Sequence, residues 1–354
     1  MTRAGARPSA GPPGVGGARD GVTAHARVPL RVTLTGGGTD LASYYATFGG
    51  FVVSATIDKH VRVSLTRTAA DADGGVRWAD APVPGRLDLS VRDAIVEACR
   101  RCLDDRAGLW LRSGADVAVG TGLGSSGAFT VAVLAALHTA RGEAPEPLAL
   151  AGHAYVAETR LAGRAGGVQD AYLPCLGGLV ALQISVDGSV QVRRPALRDG
   201  VLDELDRSLL LYSTGISRSS EDVLLAQQRA ARAGFAPTLD SMHRCKDIGL
   251  QLLDALEAGD VEAVGGLLHE HWMAKRSGVG GVTTPRIDRL YELARASGAT
   301  GGKLVGAGGG GHLLLHCPPA RQPGLRAALA AEGLGELPFR ITAERARARR
   351  EDAG

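Results

Sequence analysis

The sequence predicts an α+β protein built from two domains, and three observations lead to this prediction. The chain has 354 residues, a length that favours two domains over one. Residues 25–200 mix strand and helix patterns around a loop rich in glycine and serine. Residues 201–345 instead hold four helical patterns followed by a strand, a second glycine loop and another strand. We therefore place a boundary near residues 195–207 and treat residues 1–24 and 346–354 as tails.

The first domain begins after a segment without periodicity. Residues 1–24 are rich in glycine, alanine, proline and arginine, a composition typical of disorder. Beyond them, alternating apolar residues predict strands, and apolar residues at helical spacing predict helices. In chain order the predicted elements are a strand at HARVPLRVTLT, a tight loop at GGGTD, a short helix over Ala42–Thr47, strands at FVVSATI and HVRVSLT, helices over 90–107 and 146–162, a turn-rich segment GGVQDAYLPCLGGL and a hairpin of GLVALQISV and SVQVRR.

The second domain shows a different order of elements. LLLYSTG is typical of a buried strand, and GGKLVGAGGGGHLLLHC predicts a strand, a glycine loop and a strand. The helical patterns cover residues 218–233, 237–258, 260–276, 285–297 and 320–332. LPFRITA predicts a last strand, and we expect the arginine-rich end that follows it to fray.

Residues 115–141, ADVAVGTGLGSSGAFTVAVLAALHTAR, organise the first domain. Ala115–Val119 is apolar and β-prone, Gly120–Gly127 forms a loop, and Ala128–Ala140 is an apolar helix. Glycines let a backbone approach a ligand closely, and free N–H groups at a helix start attract anions. The pattern predicts a phosphate-binding loop in which the hydroxyls of Ser125 and Ser126 are available to phosphate oxygens or to a metal ion.

The loop alone leaves other interpretations open. Gly122-x-Gly124-x-x-Gly127 matches the glycine spacing of dinucleotide-binding folds, but no strand ending in an acidic residue follows at the required distance. The Lys-Ser/Thr pair of a Walker loop is missing from these residues. A plain helix N-cap containing serines fits them as well. The second glycine loop, which begins at Gly306, has the same spacing but is followed by a strand rather than a helix.

Composition and charge exclude several classes of protein. The net charge of +3 is too small to indicate a nucleic acid partner. No apolar run is long and uncharged enough to span a membrane, and the N-terminus lacks a hydrophobic signal segment, so we expect a cytoplasmic protein. Cys99-x-x-Cys102 lies in a helical pattern without a second pair, which indicates ordinary helix cysteines. The lysines are few among the 40 basic residues: Lys59, Lys246, Lys275 and Lys303.

Three stretches together carry a family resemblance. They are VPLRVTLTGGGTD (28–40), VGTGLGSSGAF (119–129) and KLVGAGGGGHLLL (303–315). Their order and spacing resemble those of the GHMP kinases, the family of galactokinase, homoserine kinase, mevalonate kinase and phosphomevalonate kinase. The resemblance implies the two-domain GHMP kinase fold, with an N-terminal ATP-binding domain like ribosomal protein S5 domain 2 and a ferredoxin-like C-terminal domain. It also implies ATP and Mg²⁺ as cofactors.

Within the family, the sequence most resembles the heptose-7-phosphate kinases. The similar stretches are GGGTDLASYY, GGFVVSATIDKHV, GVQDAY, STGISRSS, TPRIDRLYELA and GGKLVGAGGGGHLLL. The resemblance implies a sugar 1-kinase that phosphorylates the anomeric hydroxyl of D-glycero-D-manno-heptose 7-phosphate to give the 1,7-bisphosphate. Its partners would be a small sugar phosphate and ATP, with no nucleic acid and no membrane. The oligomeric state stays open, a homodimer being one option.

The resemblance also assigns the reacting groups. Ser126 and Glu158 would supply the hard oxygen ligands that Mg²⁺ prefers, although Glu158 by itself reads as a solvated helix acid. Asp170 matches the base that accepts the hydroxyl proton, and Arg31 matches the cation that keeps this carboxylate charged and stabilises the phosphoryl group. Considered without the family resemblance, Asp170 would be interpreted as a turn-forming residue. The residues assigned to the nucleotide phosphates are Gly120, Gly122, Leu123, Gly124, Ser125, Ser126 and Gly127.

The predicted substrate contacts come from three stretches. Thr39 and Asp40 match sugar-hydroxyl contacts of the GEHTD motif in galactokinases, while Gly37 and Gly38 replace its Glu-His pair and leave room for a larger or phosphorylated sugar. Arg218, Lys275 and Arg276 would bind a distal phosphate or serve as ordinary surface charges. Gly308, Gly309 and Gly310 belong to the loop that lies beside the substrate in the family.

Departures from the family keep alternatives open. Val168 and Ala171 stand where the heptose kinases carry lysine and glutamine, and Val119 and Gly127 stand where relatives often carry proline and serine or alanine. One alternative is a kinase for an unphosphorylated sugar such as fucose or galactose. A second is a catalytically silent sugar-binding protein, against which the retained Ser126, Glu158 and Asp170 argue. The third, a nicotinamide dehydrogenase, is disfavoured by the strand after the second glycine loop.

Overall fold

The computed structural model describes residues 21–68, 75–79, 87–216, 220–278 and 280–351. Arg218 and all but the end of the predicted tail 1–24 therefore lie outside the described residues. Among the described residues, no helix combines the length and the apolar character that a membrane crossing requires.

A seven-stranded sheet forms the framework of the first domain within the described ranges. The strands are β1 (Val22–Thr35), β2 (Gly50–Thr68), β3 (Val76–Trp78), β4 (Gly108–Ala115), β5 (Leu179–Ile184), β6 (Val190–Arg193) and β10 (Arg347–Arg350). The central strand is β2, which pairs with β1 along nearly its whole length, with β5 through its first half and with β4 through its second half. The strand order is β10-β1-β2-β4-β3, and β6 extends the sheet beyond β5.

Helix α3 (Ser125–Ala140) packs against β1 and β2. Its side chains are apolar on every face, and nearly all of them are buried, as expected for a helix in the middle of a core. The surrounding helices are α1 (Ala42–Phe48), α2 (Leu89–Cys102), α4 (Pro147–Val156) and α5 (Val168–Leu176). Helix α4 continues into a π-helical turn, Ala157–Leu161, which carries Glu158.

Several predictions for the first domain were wrong in detail. FVVSATI and HVRVSLT form one strand, because both halves pair with β1. Asp58 and Lys59 between them are extra residues at an irregularity of the register and do not interrupt the strand. Only Ala115 of the predicted strand Ala115–Val119 belongs to a strand, β4. The segment predicted as turn-rich is helix α5, with Gly167 before it and Gly177 after it.

Both predicted tails contribute to the sheet. Arg347–Arg350, within the tail predicted to fray, forms β10 and pairs with Ala24–Arg27 of β1. Strand β1 accordingly begins at Val22, inside the predicted tail 1–24. The backbone hydrogen bonds of this pairing order both ends of the described chain.

The elements of the second domain are α6 (Val201–Ser208), β7 (Leu209–Ser213), α7 (Ser220–Arg232), α8 (Ala236–Ala258), α9 (Val261–Gly278), α10 (Pro285–Ala296), β8 (Gly301–Leu304), β9 (His312–His316), a 3₁₀ turn Pro319–Arg321 and α11 (Gln322–Ala331). Its three strands form an antiparallel sheet in the order β7-β9-β8. The predicted strand LPFRITA does not form; Ile341 makes only an isolated bridge to Ile57.

Helices α8 and α9 of the second domain contact β1 and β2 of the first. Leu252 and Leu268 lie in the same buried cluster as Leu30 and Val32. Because this apolar contact spans the domain boundary, it fixes the two glycine loops relative to each other, and a cavity lies where they meet.

Candidate active site

A cavity of about 530 Å³ is lined by side chains and loops from both domains. Such a volume lies within the range of sites that hold small ligands. Most of the residues assigned to the nucleotide phosphates, the metal, the base and its partner, and the substrate line this cavity. They are Arg31, Gly37, Gly38, Asp40, Gly120, Gly122, Gly124, Ser125, Ser126, Gly127, Glu158, Asp170 and Lys275.

The first glycine loop is shaped by backbone conformations that only glycine adopts easily. Gly122 and Gly124 have φ values of +84° and +76°, in the left-handed region. A Cβ on Gly122 would lie 2.4 Å from the carbonyl oxygen of Val305. The Leu123 side chain is fully buried in the core and its carbonyl accepts the backbone N–H of Arg31 at 3.1 Å, so its predicted role in phosphate binding would fall to its backbone N–H.

Helix α3 begins at Ser125, so the two serines of the loop form its first turn. Ser126 donates its hydroxyl to Glu158 Oε1 at 2.6 Å. Burial raises the pKa of Glu158 to about 7, and the hydrogen bond from Ser126 opposes this shift. The Ser125 hydroxyl is buried and has no hydrogen-bond partner within the described part of the chain. At the first turn of α3, two oxygens are therefore in contact with each other, those of Ser126 and Glu158, beside the hydroxyl of Ser125, which has no partner among the described residues.

Asp170 and Arg31 form a buried ion pair across the cavity. Arg31 donates through Nε to Asp170 Oδ1 at 2.9 Å and through one terminal nitrogen to the same oxygen. Its other terminal nitrogen donates to the carbonyl of Gly122 at 2.6 Å. Arg31 thereby joins the carboxylate to the phosphate loop, and about a fifth of the Asp170 side chain, 19%, stays accessible from the cavity.

Asp40, which also lines the cavity, is fixed by two backbone N–H groups. Its Oδ1 accepts from Gly38 at 3.1 Å and its Oδ2 accepts from Gln169 at 3.3 Å. Burial, reinforced by the charge of Asp170, raises the pKa of Asp40. A Cβ on Gly167 would lie 2.0 Å from Asp40 Oδ2, so this position needs glycine.

Four of the residues assigned to the substrate do not line the cavity. Thr39 is buried, donates its hydroxyl to the carbonyl of Gly36 at 2.8 Å and accepts from the backbone of Phe51 at 3.0 Å, so it fixes the GGGTD loop. Gly308, Gly309 and Gly310 pack on the chain near Val282 and Ile216, and it is Gly306 and Ala307 that reach the cavity.

Arg276 does not line the cavity either, and its contacts fit the alternative role that the sequence left open for it, that of an ordinary charge. It forms an ion pair with Asp288 at 3.2 Å and stacks over the ring of Trp272 within the second domain. Lys275, its neighbour on α9, does line the cavity. Successive residues on a helix point about 100° apart, so only one of the two can face the cavity.

The chain matches two family profiles. The profile described as "GHMP kinases N terminal domain" matches residues 91–178, and the one described as "GHMP kinases C terminal" matches residues 252–334. The chain belongs to the GHMP kinase family. This GHMP kinase is an ATP-dependent sugar kinase.

Named relatives share the fold and the length of this GHMP kinase. It is 28% identical over 331 residues to the D-glycero-alpha-D-manno-heptose 7-phosphate kinase of Campylobacter jejuni, covering 88% of this chain and 94% of that one. A putative sugar kinase structure from Campylobacter jejuni matches with a TM-score of 0.69 and 26% identity, covering 93% and 98% of the two chains. A D-glycero-D-manno-heptose 1-phosphate kinase from Bacteroides thetaiotaomicron matches with a TM-score of 0.73 and 23% identity, covering 93% and 100%, which shows the fold.

The residues present fit the ATP of a GHMP kinase and the magnesium ion that usually accompanies it. The glycine loop leaves its backbone N–H groups beside the first turn of α3, where a triphosphate would be stabilised. Ser125 Oγ has no hydrogen-bond partner among the described residues, so its hydroxyl is available to donate to a phosphate oxygen. Ser126 and Glu158 supply the oxygen donors that Mg²⁺ accepts.

Several polar side chains that line the cavity of this GHMP kinase were not assigned from the sequence. Thr33 lines the cavity, and Ser54 is its partner across β1 and β2; both donate to Gln169 Oε1, at 2.6 and 2.9 Å. These two hydrogen bonds fix Gln169, which precedes Asp170. Lys303 was noticed only as one of few lysines, and nothing in the sequence pointed to Asp88, Arg164, Glu221 and Gln227.

Lys275 and Lys303 are both buried at the cavity, with exposed fractions of 6% and 1%. Lys275 donates to the carbonyl of Gly306, and Lys303 donates to the carbonyls of Thr33 and Leu34 at 3.0 and 3.1 Å. Neither forms an ion pair within the described ranges, and burial lowers the pKa of both, that of Lys275 to about 8. Since a buried cation without a counter-charge is costly, these lysines favour an anionic ligand.

Proposed function

We propose that this GHMP kinase phosphorylates the anomeric hydroxyl of D-glycero-D-manno-heptose 7-phosphate, with ATP as the donor and the 1,7-bisphosphate as the product. One observation carries the proposal: the Asp170–Arg31 pair and the Ser126–Glu158 pair line the same cavity. The use of ATP leads us to expect the reaction in the cytoplasm. The name of the Campylobacter relative supports the choice of sugar.

In the proposed mechanism, Asp170 acts on the acceptor hydroxyl. The anomeric oxygen forms a bond to the γ-phosphorus as the bond between that phosphorus and the β–γ bridging oxygen breaks, and ADP leaves. The hydroxyl proton passes to Asp170, whose orientation Arg31 fixes. Arg31 also contributes positive charge near the transferred group, where such charge lowers the barrier.

Ser126 and Glu158 would hold Mg²⁺, which neutralises charge on the triphosphate when it is bound. Their spacing suits this role, because the hydroxyl and the carboxylate already contact each other at 2.6 Å. Ser125 and the backbone of the glycine loop would bind the phosphates. Asp40, fixed by two backbone N–H groups, would accept hydrogen bonds from sugar hydroxyls.

The preference for a phosphorylated sugar rests on Lys275 and Lys303. Two buried ammonium groups without ion-pair partners in the described part of the chain would form charge-assisted hydrogen bonds to the phosphate of the acceptor. Each such bond contributes about 1.5–3 kcal/mol. Two bonds would favour heptose 7-phosphate over free heptose by roughly 10²-fold or more, at about 1.4 kcal/mol per factor of ten.

The test is a side-by-side measurement of kcat/KM for heptose 7-phosphate, free heptose, fucose and galactose, scored by ADP release. We expect heptose 7-phosphate to be the best substrate, and Lys275→Met to raise its KM while leaving the KM for ATP unchanged. Lys246→Met is the control, since Lys246 donates to the carbonyl of Phe48 away from the cavity. Equal or better use of an unphosphorylated sugar would overturn the choice of substrate.

The second candidate is a C1 kinase for an unphosphorylated sugar such as fucose or galactose. The position of Arg276 favours it, because one of the three cations predicted to bind the distal phosphate is paired with Asp288 instead. Arg218, another of the three, lies outside the described residues. The same substrate panel separates the two candidates.

A further inference from the structure

An ion pair joins the two domains at the wall of the cavity. Arg164, in the loop after the π-helical turn, lies 3.2 Å from Glu221, in the first turn of α7. Both residues line the cavity that holds Ser126 and Glu158. The pair is not part of the mechanism described above.

Arg164 keeps one hydrogen-bond donor unused. Its side chain is mostly buried, with 18% exposed, and its Nε has no hydrogen-bond partner within the described part of the chain. Buried guanidinium donors are normally satisfied because an unmade hydrogen bond is costly. An unused donor in a cavity wall therefore indicates that the state with ligand bound supplies the acceptor.

The position of Arg164 is on the metal side of the cavity. Its backbone N–H donates to the carbonyl of Glu158 at 3.1 Å. A Cβ on Gly166 would lie 3.8 Å from the carboxyl carbon of Glu158, so the loop from Arg164 runs directly over that side chain.

The other cations of the cavity are already engaged elsewhere. Arg31 uses donors from all three guanidinium nitrogens on Asp170 and Gly122. Lys275 and Lys303 donate to the backbone carbonyls of Gly306, Thr33 and Leu34. A triphosphate brings several negative charges to the loop, and the carboxylate of Glu221 would repel them unless Arg164 is shared or Glu221 moves away.

We propose that Arg164 binds the terminal phosphate of ATP, and that Glu221 occupies its guanidinium only until the nucleotide arrives. A planar guanidinium can bind two phosphate oxygens at once, which matches the unused Nε and the terminal nitrogen now paired with Glu221. Exchange of Glu221 for phosphate would release the first turn of α7 from the loop of the first domain. The inference rests on the use of ATP and is independent of the identity of the sugar.

The test measures nucleotide binding by calorimetry in the presence of Mg²⁺, with the β,γ-imido analogue of ATP and with ADP as probes. Arg164→Gln should weaken binding of the analogue by about tenfold or more, the effect of losing a charge-assisted bond, and should leave ADP binding within about twofold. Glu221→Gln should leave binding of the analogue unchanged or strengthen it, because the competitor for Arg164 has gone. Arg160→Gln, an exposed arginine four residues earlier, is the control.

The outcomes separate the alternatives. Equal weakening of both nucleotides, or an equal effect of Arg164→Gln and Glu221→Gln, would show that the pair only supports the structure and would overturn the proposal. If Arg164→Gln does not fold, Arg164→Lys keeps the charge without the planar fork, and a selective loss for the analogue is again expected. A selective loss in a protein that phosphorylates none of the sugars would support the role of Arg164 while rejecting the proposed substrate.

Discussion

At the scale of single residues, Asp170 owes its orientation to Arg31. Two nitrogens of Arg31 donate to one carboxylate oxygen, Oδ1, and leave Oδ2 without a contact from this arginine. Gln169, next to Asp170, is fixed separately by Thr33 and Ser54. Arg31 therefore orients the carboxylate through one oxygen, and the proposed role of Asp170 as base would use the other.

Asp170→Asn should reduce kcat by about 10²-fold or more, because a positioned proton acceptor contributes on that scale. The amide is isosteric with the carboxylate, so we expect the Kd of the imido analogue of ATP to stay nearly unchanged. The measurement compares kcat with the calorimetric Kd. Asp199→Asn, at an exposed position, controls for the loss of a negative charge, and full turnover by Asp170→Asn would remove Asp170 from the mechanism.

Ser126→Ala and Glu158→Gln should each raise the Mg²⁺ concentration required for half-maximal binding of the imido analogue. Each change removes a hard oxygen or its charge, and the loss of one charge-assisted contact corresponds to roughly tenfold. The readout is a magnesium titration followed by calorimetry, which needs no turnover.

Ser125→Ala is the matched comparison for the metal prediction. Its hydroxyl neighbours that of Ser126 but makes no hydrogen bond among the described residues. We expect it to weaken nucleotide binding at every Mg²⁺ concentration without changing the magnesium requirement. Unchanged magnesium titrations in both Ser126→Ala and Glu158→Gln would mean that these residues only cap and support the helix.

At the scale of elements, the sequence predicted the parts of the site that glycines define. The two glycine loops and the apolar helix after the first could be recognised because left-handed backbone and uniform apolarity are strong local signals. Helix α5 was missed for the opposite reason. It carries Pro174 inside and glycines at both ends, and these signals indicate turns unless packing on α3 and α4 overrides them.

The close approach of α3 and α5 depends on Gly127. A Cβ there would lie 2.4 Å from the carbonyl oxygen of Asp170 and 2.8 Å from its Cβ. These contacts are with backbone and with the base of a side chain, so they cannot be relieved by a rotamer change. The position of Asp170 relative to the phosphate loop is therefore set by a residue without a side chain.

Gly127→Ala should lower both the free energy of unfolding and the activity. Overpacking of this kind costs about 1–3 kcal/mol, and the shift of α5 would move Asp170 away from its position. Denaturant unfolding and kcat together check the prediction. Gly152→Ala in α4 is the control, because nothing lies within 4 Å of its added Cβ and alanine should stabilise the helix by about 0.5–1 kcal/mol. Wild-type activity in Gly127→Ala would show that the helices tolerate separation.

At the scale of the whole molecule, the candidate active site depends on the contact between domains. Lys303 of β8 donates to two carbonyls of β1, and Gly306 packs on Gly122. Sequence patterns report the neighbours of a residue along the chain, so they could not show that Lys303 contacts Thr33, 270 residues away. For the same reason Arg164 and Glu221 escaped notice, and the sequence could not decide between the two roles left open for Arg276, which pairs with Asp288.

The buried lysines make the stability of the unliganded protein depend on pH. Burial lowers the pKa of Lys275 from the ordinary 10.5 to about 8, and its side chain is only 6% exposed. Between these values the unfolded chain binds the proton and the folded chain does not, so stability rises with pH over this range. The charged and titratable groups that act on Lys275 come from several elements: Cys245 on α8, His271 on α9, Arg31 on β1, Lys303 on β8 and Asp40 in the loop after β1.

Lys275→Met should remove much of this rise, because methionine fills a similar volume without a charge. A shift from 10.5 to about 8 corresponds to at most about 3.5 kcal/mol, at ~1.4 kcal/mol per pKa unit. The variant should therefore gain stability relative to the wild type at pH 7, and this difference should shrink toward pH 10.5. Denaturant unfolding at a series of pH values gives the difference directly, so that titrations common to both proteins cancel. The matched control is Lys246→Met, which removes a lysine that also donates to a backbone carbonyl, that of Phe48 at 2.6 Å, but lies nearer the surface. If the difference between Lys275→Met and the wild type is the same at every pH, Lys275 meets its counter-charge in the unliganded protein, and the argument that its position favours an anionic substrate fails with it.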